Sequence, residues 1–102
     1  MPLTRDFKET IRHRVQHDAR FRKELLREGL DAMLSGEITL AKTILRDYIN
    51  ATVGFTGLAE GTHIPTKSLM RMFSATGNPR AANLFEIVSF LQRHEGVRFH
   101  VR

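Results

Sequence analysis

Thr66, Lys67, Met70 and Arg71 lie close together in the chain. At ~100° per residue they would share one side of a helix, spread over about 140°. That side carries a hydroxyl, an ammonium, a thioether and a guanidinium, and no carboxylate. Such a face is polar and cationic. It is equipped to bind a polyanion, because ammonium and guanidinium groups pair with phosphate oxygens. Guanidinium also bonds bidentately to guanine, and a major groove admits one α-helix. Thr56 and Arg80 flank the segment, where side chains meet phosphates more readily than bases.

A reading face needs a scaffold, and FTGLAEGTHIPTKSLMRMFS, residues 55 to 74, has the internal spacing of a helix-turn-helix. Leu58, Ala59, Thr62, Ile64, Leu69 and Met72 supply the small and apolar inward positions of two short helices. Ala59 is the sensitive one, since a larger side chain would push the second helix away. His63-Ile64-Pro65 breaks the periodicity where the chain must turn. His63 stands where glycine usually makes that turn, and Pro65 where serine or threonine usually caps the second helix. Histidine is among the commoner non-glycine residues at positive φ, and proline is accepted in a first helical turn.

Charge distribution sharpens the reading. The chain of 102 residues carries sixteen Lys+Arg against eleven Asp+Glu, a formal charge of +5. Residues 1–54 hold ten basic and eight acidic side chains, a mixed surface of +2. From Gly61 to Phe85 there are Lys67, Arg71 and Arg80 and no acid. Total basicity alone says little about partners, but an acid-free window that coincides with the reading helix says more.

Composition bounds the rest. With 41% apolar residues in a periodic pattern, the length suits one folded domain. No apolar stretch approaches the ~20 residues of a membrane span, and MPLTRDFKETIRHRV lacks the apolar run of a secretory signal. The absence of cysteine excludes disulfides and thiolate metal sites and suits a cytoplasmic protein.

Six helices are expected. The first runs from about Asp6 to Gln16, with Asp6 and Glu9 at capping-box spacing and Phe7, Ile11 and Val15 on one side. The second follows Asp18 as N-cap, carries Leu26, Leu30, Met33 and Leu34 on one stripe, and ends at Ser35-Gly36. A third spans about Glu37 to Thr52, with Ala41, Ile44, Leu45, Tyr48, Ile49 and Thr52 inward and Gly54 closing it. The helix-turn-helix pair comes next, with Thr56 beginning its first helix. Thr76-Gly77-Asn78-Pro79 is the strongest break in the chain. A sixth helix from about Arg80 to His94 buries Leu84, Ile87, Val88 and Leu91 and ends at Gly96. VRFHVR then alternates as a half-exposed strand would, and its partner would have to lie elsewhere, such as in a second subunit.

The expected fold is therefore all-α: a helical bundle with a repressor-like helix-turn-helix, two extra N-terminal helices and the option of a short C-terminal strand. Residues 1–36 read as a helical extension packed on the core or at a subunit interface, 37–95 as the DNA-binding unit, and 96–102 as a tail.

Other constellations carry less. His13 and His17 have the i, i+4 spacing that places two imidazoles on one metal, but no further ligand completes a site. No cofactor is expected. There is no phosphate-cradling glycine loop, HExxH or cysteine nucleophile, so an enzyme is not expected. Arg12, Arg14, Arg20, Arg22, Lys23 and Arg27 form a basic series interspersed with acids. It reads as a solvated face, or as a docking surface for an acidic partner or flanking DNA. The plainer alternative for residues 55–74 is a pair of amphipathic helices with Lys67 and Arg71 as ordinary surface.

Three runs, FRKELLREGLDAMLSGE, LAKTILRDYINATVGFTGLAEGTHIP and KSLMRMFSATGNPRAANLFEIVSFL, resemble the addiction-module antidote (antitoxin) proteins with a Cro/phage-repressor-type helix-turn-helix. The resemblance covers roughly Phe21 to Val101, and RMFSATGNP is its most distinctive piece. It implies an all-helical DNA-binding regulator, usually a homodimer on a palindromic operator. Such proteins commonly repress the operon encoding themselves and a toxin of the RelE/ParE kind. Thr66, Lys67, Met70 and Arg71 are the reading positions that carry over. Relatives described only as transcriptional regulators share these motifs. A protein-binding antitoxin that caps the toxin with little DNA binding of its own is the alternative, and a structural bundle that binds neither is a third.

Overall fold

The computed structural model describes residues 5–97, with side chains from residue 9 onward. It contains six α-helices: α1 (Arg5–His17), α2 (Ala19–Leu34), α3 (Ile38–Ala51), α4 (Gly54–Thr62), α5 (Thr66–Met72) and α6 (Ala81–Glu95). No helix among the described residues is long and apolar enough to cross a membrane. The strand expected in VRFHVR falls on residues 98–102 beyond Val97, outside the described residues.

Local chemistry sets the helix ends. Asp18 has extended backbone and its carboxylate accepts the Phe21 amide at 3.1 Å, so it caps α2 as the sequence implies. Gly36, at φ 82°, carries the chain out of α2. Two boundaries differ from expectation. α1 begins at Arg5, so Asp6 lies inside its first turn rather than ahead of it. Gly54, at φ 70°, opens α4 instead of closing α3, because the chain already leaves α3 at Thr52.

α3 is the central element. Ala41, Leu45, Tyr48 and Ile49 are fully buried, meeting Leu26, Leu30 and Met33 of α2 and Leu84, Ile87, Val88 and Leu91 of α6 in one core. Burying a side chain of this size contributes roughly 1.5–3 kcal/mol. Val15 is also completely buried, so α1 covers the core at its C-terminal end. Leu34 is the exception to the α2 stripe. It is 45% exposed, because it sits at the edge of the apolar arc in the last helical position, while Ala32 is buried.

A polar knot joins four helices beside that core. Glu95 of α6 accepts from Arg22 Nε of α2 at 2.6 Å and from the Tyr48 hydroxyl of α3. Arg22 also donates to the Val15 carbonyl of α1 at 3.0 Å. Burial opposes ionisation of Glu95, but the hydrogen bonds from Arg22 and Tyr48 outweigh it and hold the carboxyl below its ordinary value. Burial likewise pushes the Tyr48 phenol up, and the bond to Glu95 adds to the effect.

Because folding lowers the Glu95 pKa, its contribution is complete above the unfolded carboxyl value of ~4.3 and is lost as pH falls through the folded one. Glu95→Gln should cost about 2 kcal/mol at neutral pH, the scale of a hydrogen bond to a charged group. Its stability should also decline less between neutral and acidic pH than that of the wild type. Urea denaturation across a pH series checks both.

Candidate nucleic-acid interface

α4 and α5 pack against each other through a turn of three residues, 63–65. Leu58 and Leu69 are fully buried, Thr62 is buried, and Ala59, Ile64 and Met72 are half-buried against the core. These are the inward positions anticipated from the spacing. His63 has φ 61° and ψ 23°, the left-handed conformation, and its amide bonds to the Ala59 carbonyl at 2.9 Å. Thr62 Oγ1 donates to the Leu58 carbonyl at 2.8 Å, which satisfies the one buried hydroxyl of the turn. Pro65 is extended at ψ 142° and its carbonyl accepts the Leu69 amide, so α5 starts directly after it. Proline serves here because the capping position spends its carbonyl and needs no amide.

α5 is only seven residues long, and its outer side is the one read from the sequence. Lys67 and Arg71 are exposed, Met70 is 57% exposed, and Thr66 is half-exposed at the helix start. The other two site residues lie on different elements. Thr56 is exposed within the first turn of α4, two residues past its start, and Arg80 is exposed immediately ahead of α6.

How so short a helix is held rigidly is the part that sequence reasoning missed. Lys42 of α3 is 7% exposed, and its Nζ donates to the Ser74 carbonyl at 2.9 Å and the Gly77 carbonyl at 2.8 Å. Arg46, one turn on, reaches the Phe73 carbonyl at 3.4 Å. Two cations of the central helix therefore grip the C-terminal end of α5, where the helix dipole is negative. Phe73 is buried at that end with its ring edge-on to Phe55 of α4, 5.7 Å between centroids. The Ser74 hydroxyl closes on the Arg71 carbonyl at 2.7 Å. Lys42 looks like surface in a periodicity plot. The findable signal was a second cation, Arg46, at i, i+4 on a helix whose Ala41, Leu45, Tyr48 and Ile49 are all buried.

Gly77 explains the distinctive RMFSATGNP run in physical terms. A Cβ at this residue would lie 2.1 Å from the Arg71 carbonyl oxygen and 2.6 Å from that of Met72. The loop can fold back onto the end of α5 only without a side chain there.

Other sequence candidates separate into structural and surface roles. Arg14 pairs with Asp18 at 3.5 Å and lies 4.7 Å over the Phe21 ring, and Arg22 belongs to the Glu95 knot. Arg12, Arg20, Lys23 and Arg27 remain on the exposed surface. His13 and His17 are exposed with ring centroids 4.3 Å apart, and no group of three potential metal ligands occurs among the described residues.

No family model, curated protein or solved structure matches the chain.

Gly77→Ala should destabilise by about 2 kcal/mol, in the range of overpacking a closed site. The six-helix content should survive in circular dichroism while amide exchange quickens in residues 66–77. An alanine variant as stable as the wild type would contradict the tight return of this loop.

Proposed function

We propose that this protein is a sequence-specific DNA-binding transcription regulator, with α4, the turn at His63 and α5 acting as a helix-turn-helix. The observation that carries the reading is the outer side of α5: exposed Lys67, Met70 and Arg71, within an acid-free stretch, on a helix held from behind by Lys42 and Arg46. A helix with an exposed cationic side, about 10–12 Å across with its side chains, suits a groove about 12 Å wide.

In this mechanism Thr66 and Lys67 enter the groove first. Arg71 bonds a guanine edge or clamps a phosphate, and Met70 offers its methyl to a thymine methyl. Thr56 and Arg80 bind phosphates on either side and set the register. Two subunits on a palindrome would place half-sites about 10 bp apart. We further propose that the regulator is the antitoxin and autorepressor of a toxin–antitoxin operon, a role supported by the resemblance of residues 21–101 to antidote proteins. Binding of a RelE/ParE-type toxin belongs to that role, and co-expression with the adjacent reading frame tests it.

For the DNA reading, the probe is the duplex upstream of the reading frame, measured by fluorescence anisotropy against a scrambled duplex. Arg71→Ala and Lys67→Ala should each cost about 1–3 kcal/mol of binding while the fold survives. The logarithm of affinity should fall linearly with that of salt, and the slope should shrink by about 1 for each phosphate contact removed. Unchanged affinity in both variants would overturn the proposed face.

A further inference from the structure

α6 has a side that the core does not use. Opposite its buried Leu84, Ile87, Val88 and Leu91, the residues Ala82, Phe85, Glu86 and Arg93 are exposed. At ~100° per residue, Ala82, Ser89 and Gly96 run down the midline of that outer side. Phe85 and Gln92 line one flank of the midline, and Glu86 and Arg93 line the other. Each set repeats at seven residues, so the flanks stay nearly parallel to the helix axis.

Two features of this side are incomplete in one subunit. The Phe85 ring is 52% exposed. Further along, a groove of about 480 Å³ is lined by Ser89, Gln92, Arg93, Gly96 and Val97. Glu86 and Arg93 make no ion pair with any described residue, and Arg93 donates instead to Ser89 Oγ at 2.7 Å.

We propose that the outer side of α6 is an isologous interface whose occupant is a second copy of this chain, docked antiparallel with the two-fold axis at Ser89. Such an axis reverses chain direction but returns each flank to the same flank. Phe85 therefore meets the end of its flank that holds the partner's Gln92, and enters the partner's groove. On the opposite flank Glu86 meets the partner's Arg93, and the pair occurs twice. The small midline residues Ala82, Ser89 and Gly96 let the helices approach. Parallel docking would instead swap the flanks, setting Glu86 against the partner's Phe85 and Arg93 against the partner's Gln92 with neither charge paired, so the charge pattern selects the antiparallel arrangement. A knob, its socket and both members of an ion pair on a single helix are self-complementary, which favours a copy of the same chain over an unlike partner.

The interface supplies the second subunit that a two-half-site regulator needs. It rests on the DNA reading for its biological purpose, while its test uses no DNA. In sedimentation equilibrium of the full chain the wild type should dimerise. Glu86→Arg and Arg93→Glu should each weaken the dimer by about tenfold or more, since each sets like charges together twice across the axis. The double charge reversal should restore it. Phe85→Asp should give a monomer with unchanged helical circular dichroism. A monomeric wild type, or a dimer indifferent to the single reversals, would overturn the interface and leave the DNA reading standing if upstream duplex is still bound. A dimer that responds as stated but binds no upstream duplex would overturn the DNA reading and leave the interface standing.

Discussion

An ammonium group removed from water must be surrounded by oxygen, and Lys42 finds that oxygen on the backbone beyond α5, at Ser74 and Gly77. Both partners are main-chain carbonyls, so the loop must present them inward in one conformation. Gly77 makes that conformation sterically open. The loop in turn closes the end of α5, and α5 inherits its position from the central helix rather than from its own length. Seven residues are far too few to be helical in isolation. The angle at which Lys67 and Arg71 project is therefore set in large part by a lysine on the other side of the helix.

The second polar device works on the opposite part of the bundle. Glu95, Tyr48 and Arg22 tie α6, α3 and α2 together, with the Val15 carbonyl bringing in α1. The hydrophobic effect is non-directional, whereas a buried carboxylate with two named donors fixes distance and direction. Because α3 supplies both Lys42 and Tyr48, one helix references the N-terminal pair on one side and the α5 loop on the other. α2 is thus part of the same packed body as α4–α6 and shares its core through Leu26, Leu30 and Met33, while α1 is tied to it through the Val15 carbonyl.

Much of this was legible in the amino acids. Asp18, Gly36 and Gly96 marked helix ends through backbone chemistry that is local, and local chemistry survives in a sequence. His63 was recognisable as a turn residue from its place between two periodic segments, and it does adopt positive φ. The inward set from Leu58 to Met72 followed from helical spacing alone. What escaped was long-range pairing. Lys42 and Glu95 are charged residues on helices whose polar positions ordinarily face water, and their partners lie 32 to 73 residues away. No periodicity distinguishes a solvated lysine from one aimed at a carbonyl. Leu34 failed in the opposite sense, since it lies at the edge of the apolar arc and spacing cannot show how far round the helix the cover extends.

The most direct test of the α5 face is an amide chemical-shift titration of the isotopically labelled protein with the duplex upstream of its reading frame. Perturbations should concentrate in residues 66–71, with a second set near Thr56 and Arg80 and little change along α1 and α2. Perturbations confined to α1 and α2, or none at all at saturating duplex, would contradict the α5 face.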